Sequence, residues 1–84
     1  MSTMNTTQAT WDYEFTDTFG DQPNFSWVNR GSVVGTREEA LREVFSRIGM
    51  HRWEAAIVDR SDVTEYWFPQ FNCVLFFYEQ EVLQ

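Results

Sequence analysis

The chain has 84 residues, 13 acids against six bases, and a formal net charge of −7 at neutral pH. That length holds one domain, and that charge lacks the basic patch by which proteins displace counterions from nucleic acid or settle on anionic membranes. With Cys73 as the single cysteine there is no disulfide framework, and no run approaches the ~18 apolar residues of a membrane span.

All six bases are arginine; lysine is absent. Aromatic mass stands where a staple would, with four Trp, three Tyr and eight Phe, each able to bury a large apolar area. The acidity favours basic partners, including proteins that themselves bind nucleic acid. It equally serves to keep an aromatic-rich domain soluble. The lone cysteine points to a reducing, cytoplasmic setting.

Residues 1–10, MSTMNTTQAT, are polar and uncharged, unlike a signal or transit peptide. They predict a disordered or loosely attached tail, with residues 11–84 as a single α+β domain. From Trp11 the pattern has period two. Trp11, Tyr13 and Phe15 point one way, Asp12, Glu14 and Thr16 the other, as on a half-buried antiparallel strand. The segment GDQPN follows, rich in turn formers, and a second run from Phe25 to Val34 completes a hairpin. Gly31 within that run predicts a bulge, a bend or the end of regular pairing.

Thr36 and Glu39 form a T-x-x-E capping box ahead of an apolar stripe at Ala40, Leu41, Val44, Phe45 and Ile48. Glu38 with Arg42, and Glu43 with Arg47, are spaced as i,i+4 pairs on the exposed side, and Gly49 is placed to end the helix. Strands are expected at Trp53–Asp59 and Val63–Phe68, separated by the turn DRSD, with Pro69 ending the second. The last run, Asn72–Tyr78, is almost wholly apolar and reads as a central strand covered by the helix on one side. The order ββαβββ predicts an α+β fold: an antiparallel sheet of four to five strands with one helix packed on one face.

No catalytic kit stands out. His51 is the only histidine, just past the helix end, where the helix dipole accounts for it. Cys73 sits in an apolar strand, where a buried structural thiol is the usual case. Zinc needs three or four Cys or His ligands. Asp17, Asp21 and Asn24 offer oxygens of the kind calcium accepts, but they miss the D-x-D-x-D-G loop and fit a turn in which each bonds its own backbone. With no phosphate-cradling glycine motif either, neither cofactor nor metal is expected.

Surface remains. Asp12 and Glu14 stand together on the outer face of the first strand, while Glu54, Asp59, Asp62 and Glu65 come from the third and fourth strands and their turn. Same-face residues on a strand are about 6–7 Å apart, a spacing at which a row of carboxylates imitates phosphates to a basic groove. Trp27 and Trp67 are candidate anchors, since tryptophan and arginine are enriched at interface hot spots. Some of Trp27, Trp53, Trp67 and Tyr66, with Arg30 or Arg52, equally suit a protein contact or a homodimer seam, or all four tryptophans suit the core itself.

Phe15–Gly20, Asn24–Val28 and Pro69–Phe76 carry a resemblance. The aromatic–T-D-T-F-G segment, the N-aromatic-x-W-V segment and the late proline before an apolar strand resemble small accessory proteins of phages, prophages and plasmids. The resemblance spans roughly half the chain and implies an accessory gene of a mobile element acting in a bacterial host's cytoplasm. It brings no catalytic residue with it. Small acidic proteins of that origin often bind host or competitor machinery, as anti-CRISPR and anti-restriction proteins do. The expectation is therefore a non-enzymatic inhibitor that docks on a basic host protein or ribonucleoprotein. It would bind neither nucleic acid directly nor membrane; a self-associating accessory protein is the alternative.

Overall fold

Alternation in the first strand and a clean helix start decide most of the architecture. A computed structural model describes residues 8–80. Strand β1 covers Ala9–Phe19 and β2 covers Gln22–Gly35. Helix α1 runs Arg37–Ile48, followed by a single 3-10 turn at Arg52–Glu54. Strands β3 (Ala56–Asp59), β4 (Thr64–Phe68) and β5 (Cys73–Glu79) complete the ββαβββ order. All pairs are antiparallel, and the sheet order is β2-β1-β5-β4-β3. Helix α1 thus links one edge strand to the other and crosses a face of the sheet on the way.

The core lies between α1 and that face. Ala40, Leu41 and Val44 are fully buried and Phe45 nearly so, against Tyr13, Phe15, Tyr66, Phe68, Leu75 and Phe77 from the three inner strands β1, β4 and β5. The aromatic rings interlock. Phe45 stacks on Tyr66 at 5.2 Å and meets Phe68 edge-on at 6.2 Å, and Trp11 stacks on Phe77 at 5.2 Å. Such pairs add about 0.5–1.5 kcal/mol each beyond the area they bury. Indole Nε1 of Trp11 donates to the Gly35 carbonyl at 3.0 Å, tying the strand to the helix entry.

The capping box forms as expected. Glu39 N–H donates to Thr36 Oγ1 at 3.2 Å, and Thr36 N–H donates to Glu39 Oε1 at 3.0 Å. Gly49 closes the helix in the left-handed region, φ 72°. Arg47 pairs with Glu43 at 3.0 Å, but Glu38 does not take Arg42; it bonds Arg52 at 3.1 Å, which anchors the segment after the helix.

Several boundaries differ from the sequence reading. Ala9 and Thr10 already pair with Gly35 and Val34, so β1 begins inside the expected tail; residues 1–7 and 81–84 lie outside the described residues. The hairpin turn shrinks to Gly20 and Asp21, both at φ 62°, the left-handed pair of a two-residue turn. Pro23 and Asn24 therefore belong to β2. Gly31 does not interrupt β2: it pairs with Tyr13, and a Cβ there would come within 2.9 Å of the tyrosine oxygen. The irregularity falls earlier, where Asn24–Trp27 bulge opposite the single residue Asp17. Trp53 leaves the predicted third strand, because Glu54 and Ala55 N–H bond back to His51 and Arg52 carbonyls in the 3-10 turn.

Candidate functional site

The strands that bury one face expose the other, and register carries that open face across the whole sheet. One row reads Arg30, Glu14, Phe76, Glu65, Val58 from edge to edge. Beside it lie Ser32, Asp12 and Tyr78 on one side, and Val28, Thr16, Val74, Trp67 and Ala56 on the other. Among the described residues no second layer covers this side. Thr16 and Val74 form its buried floor, and Asp12, Glu14, Phe76, Tyr78 and Trp67 are half-buried upon it.

Each carboxylate here is held differently. Asp12 accepts from the Ser32 hydroxyl at 2.6 Å. Glu14 has Arg30 at 3.9 Å, a pairing between partly exposed groups that contributes little. Glu65, only 8% exposed, accepts from Arg60 Nε at 2.7 Å and from Trp67 Nε1 at 2.9 Å. Burial alone would push its carboxyl up, but those two donors more than offset it and hold it below the usual range. Tyr78 is raised by burial and further by the Glu14 and Asp12 charges, against the opposing pull of Arg30.

Asp12, Glu14, Glu65 and Trp67 are therefore brought together, and Phe76 and Tyr78 stand between them. Half-exposed rings flanked by carboxylates are suited to arginine or lysine side chains: the ring face attracts the cation, and the carboxylate accepts its N–H groups. Phe76 and Tyr78 were hidden in the sequence by the uniform apolarity of β5. The signal that could have found them is the register, which sets them opposite Glu14 and Asp12.

The remaining expected residues lie elsewhere. Trp27, 46% exposed, leans on Phe15 at 5.2 Å, a residue of the helix-covered face. Asp59 pairs with Thr64 and accepts from its hydroxyl at 3.1 Å, one step out of phase with Glu65. With Asp62, Arg37 and Arg60 it lines a groove of about 900 Å³ at the end of the sheet. Glu54 sits in the 3-10 turn.

The knot around Asp17 is a clip. Its carboxylate accepts from Ser26 N–H at 2.9 Å, Ser26 Oγ at 2.6 Å and Asn24 Nδ2 at 2.9 Å. The Ser26 hydroxyl, then the Asn24 amide and Ser26 N–H, hold the carboxyl far below its ordinary value. Thr16 completes the clip, its hydroxyl donating to the Trp27 carbonyl at 2.8 Å and accepting from Phe25 N–H at 3.1 Å. Phe25 itself is left-handed, φ 55°, a backbone state that costs a non-glycine residue about 1 kcal/mol or more. These bonds hold the bulge against that cost. Among the described residues no group of three His, Cys, Asp or Glu could hold a metal ion.

Cys73 is buried at the start of β5, and burial pushes its thiol up. His51 is exposed and stacks on Trp53 at 5.6 Å. The two line different grooves. No helix among the described residues is long and apolar enough to cross a membrane. No protein-family model, curated protein or solved structure matches the chain.

Proposed function

We propose that this chain is a non-enzymatic accessory protein of a phage or other mobile element that binds and inhibits a bacterial defence complex, in the manner of an anti-CRISPR. Its open sheet face would lie on a basic, nucleic-acid-binding surface in the host cytoplasm. The observation that carries this reading is the uncovered face itself, where Asp12, Glu14 and Glu65 frame the half-exposed Phe76, Tyr78 and Trp67. Carboxylates supply attraction and register, and the rings supply contact area that excludes water. The net charge of −7 favours such a partner at long range.

The test compares wild type with an Asp12→Lys, Glu14→Lys variant as bait in a bacterial lysate, followed by competition on the purified partner. Wild type should retain a nucleic-acid-handling complex at low salt and displace its DNA or RNA. Retention should fall steeply as salt rises, and the variant should retain nothing. Equal retention by bait and variant, or a partner that keeps its nucleic acid, would sink the reading.

A further inference from the structure

Glu14 and Glu65 hold matching positions and keep different company. Both stand directly across from Phe76, one on each neighbouring strand, so each begins about 5 Å from the same aromatic residue. Each also has a second aromatic neighbour with a polar tip. For Glu65 that is Trp67; for Glu14 it is Tyr78, whose phenol feels the Glu14 charge. The Glu65 side is filled: Arg60 Nε donates to Oε2 at 2.7 Å and Trp67 Nε1 donates to Oε1 at 2.9 Å. The Glu14 side is open. Its side chain is 31% exposed, and Arg30 Nε stands 3.9 Å away, too far for a hydrogen bond. The Arg30 side chain is itself 62% exposed.

We propose that the corner formed by Glu14, Phe76 and Tyr78 takes an arginine side chain of the partner, in preference to lysine, as Glu65 takes Arg60 of this chain. Charge complementarity selects a cation. Asp12, two residues before Glu14, brings a second carboxylate held by a single hydroxyl donor. Two negative charges therefore face one loosely placed arginine. The rings then select which cation. A guanidinium is planar, lies flat on a half-exposed ring and keeps N–H groups at its edge for both oxygens of one carboxylate. A lysine ammonium is compact and more strongly hydrated, so it gives up more on leaving water.

This role rests on the open face being the docking surface proposed above. Within that surface it separates two kinds of carboxylate. Glu65 is saturated by its own chain and shapes the face, whereas Glu14 has acceptor capacity left for a partner. Arg30 is the cation that an incoming guanidinium displaces.

The test titrates the isolated protein at low salt with acetyl-Gly-Arg-Gly-amide and with its lysine counterpart, followed by amide NMR. The arginine peptide should bind at least about threefold tighter, with the largest shifts at Glu14, Phe76 and Tyr78. Glu14→Gln should weaken it about tenfold. Glu43→Gln makes the same change of charge on the helix side of the sheet and should weaken it by less than about twofold. Phe76→Leu keeps apolar cover without the ring and should bring the two peptides level. Arg30→Gln removes the competing cation and should tighten binding. No saturable binding, or equal affinity of wild type for the two peptides, overturns the proposal without recourse to any variant. Equal losses from Glu14→Gln and Glu43→Gln, or shifts centred on Asp59 and Asp62, overturn it too. No defence complex enters this titration, so its failure leaves the lysate test standing. A chain that binds arginine here but retains no complex keeps the corner and loses the inhibitor reading.

Discussion

The two faces of this sheet are built by the same strands, one residue out of step. On the covered face Tyr13, Leu75, Phe77, Tyr66 and Phe68 close under α1. On the open face lie their immediate neighbours Glu14, Phe76, Tyr78, Glu65 and Trp67, and among the described residues no layer stands above them. The difference shows where acid can be carried in a small aromatic protein. Carboxylates on the open face keep water, as Asp12 and Glu14 do, or side-chain donors, as Glu65 does with Arg60 and Trp67. Any placed among the apolar side chains under the helix would lose both. It also shows that aromatic residues in one strand answer to two demands, packing below and contact above.

Adjacent substitutions test the contrast most strongly. Leu75→Ala, on the sealed side, should cost about 2–5 kcal/mol in urea unfolding, while Phe76→Ala should cost less than about half of that. Equal losses would mean that the open face is covered in solution. Next in size, Glu65→Ala should cost about 1–3 kcal/mol, because it strips Trp67 Nε1 and Arg60 of their acceptor. The conservative Glu65→Gln exposes the charge dependence. Folding lowers the Glu65 carboxyl, so its charged form stabilises the fold above the ordinary carboxylate value of 4.5. That contribution disappears as pH falls through the lowered, folded value. The stability gap between wild type and Glu65→Gln should be full at neutral pH and close in acid; a gap that widens in acid would contradict the pairing.

How far these faces were legible depends on how local their causes are. Thr36, Glu39 and Gly49 fix the helix ends within a turn of chain, and alternation in Trp11–Thr16 fixes which side faces the core. Both are visible without knowing the rest of the fold. The sheet order is not, and neither is the grouping of Asp12 and Glu14 with Glu65, which passes through Phe76 on the intervening strand. Asp59 and Glu65 looked alike in sequence, but they are six apart across a tight turn, which sets them on opposite sides. Trp27 could not be placed because four residues of β2 bulge past one of β1, resetting the phase of everything before Val28. Glu38 had two arginines within reach, and only the tertiary path of the chain after Gly49 selects Arg52.

Smaller effects sharpen the picture at the clip and on the open face. Thr16→Val keeps the shape but removes the partner of Phe25 N–H and Trp27 C=O. It should cost about 1–2 kcal/mol, with amide exchange accelerating at Phe25 and Ser26 and unchanged at Leu75. An Asp12→Asn, Glu14→Gln variant should move the Tyr78 phenol back down towards 10.0, read by NMR of that ring. An unmoved Tyr78 would show that burial alone sets it and that the carboxylates do not share its surroundings.

At the middle of the sheet β1 pairs with β5, which among the described strands lie farthest apart in chain order. The β1–β2 hairpin and the β3–β4–β5 meander can each form from neighbouring residues. Their union must wait until Cys73–Glu79 has been made and has travelled back to Trp11–Asp17. Pairing over so long a loop is slow to close. The rate-limiting event in folding should therefore be the docking of two preformed ribbons beneath α1. Mutations along the β1–β5 ladder should slow folding, while those in the Asp17 clip should chiefly hasten unfolding.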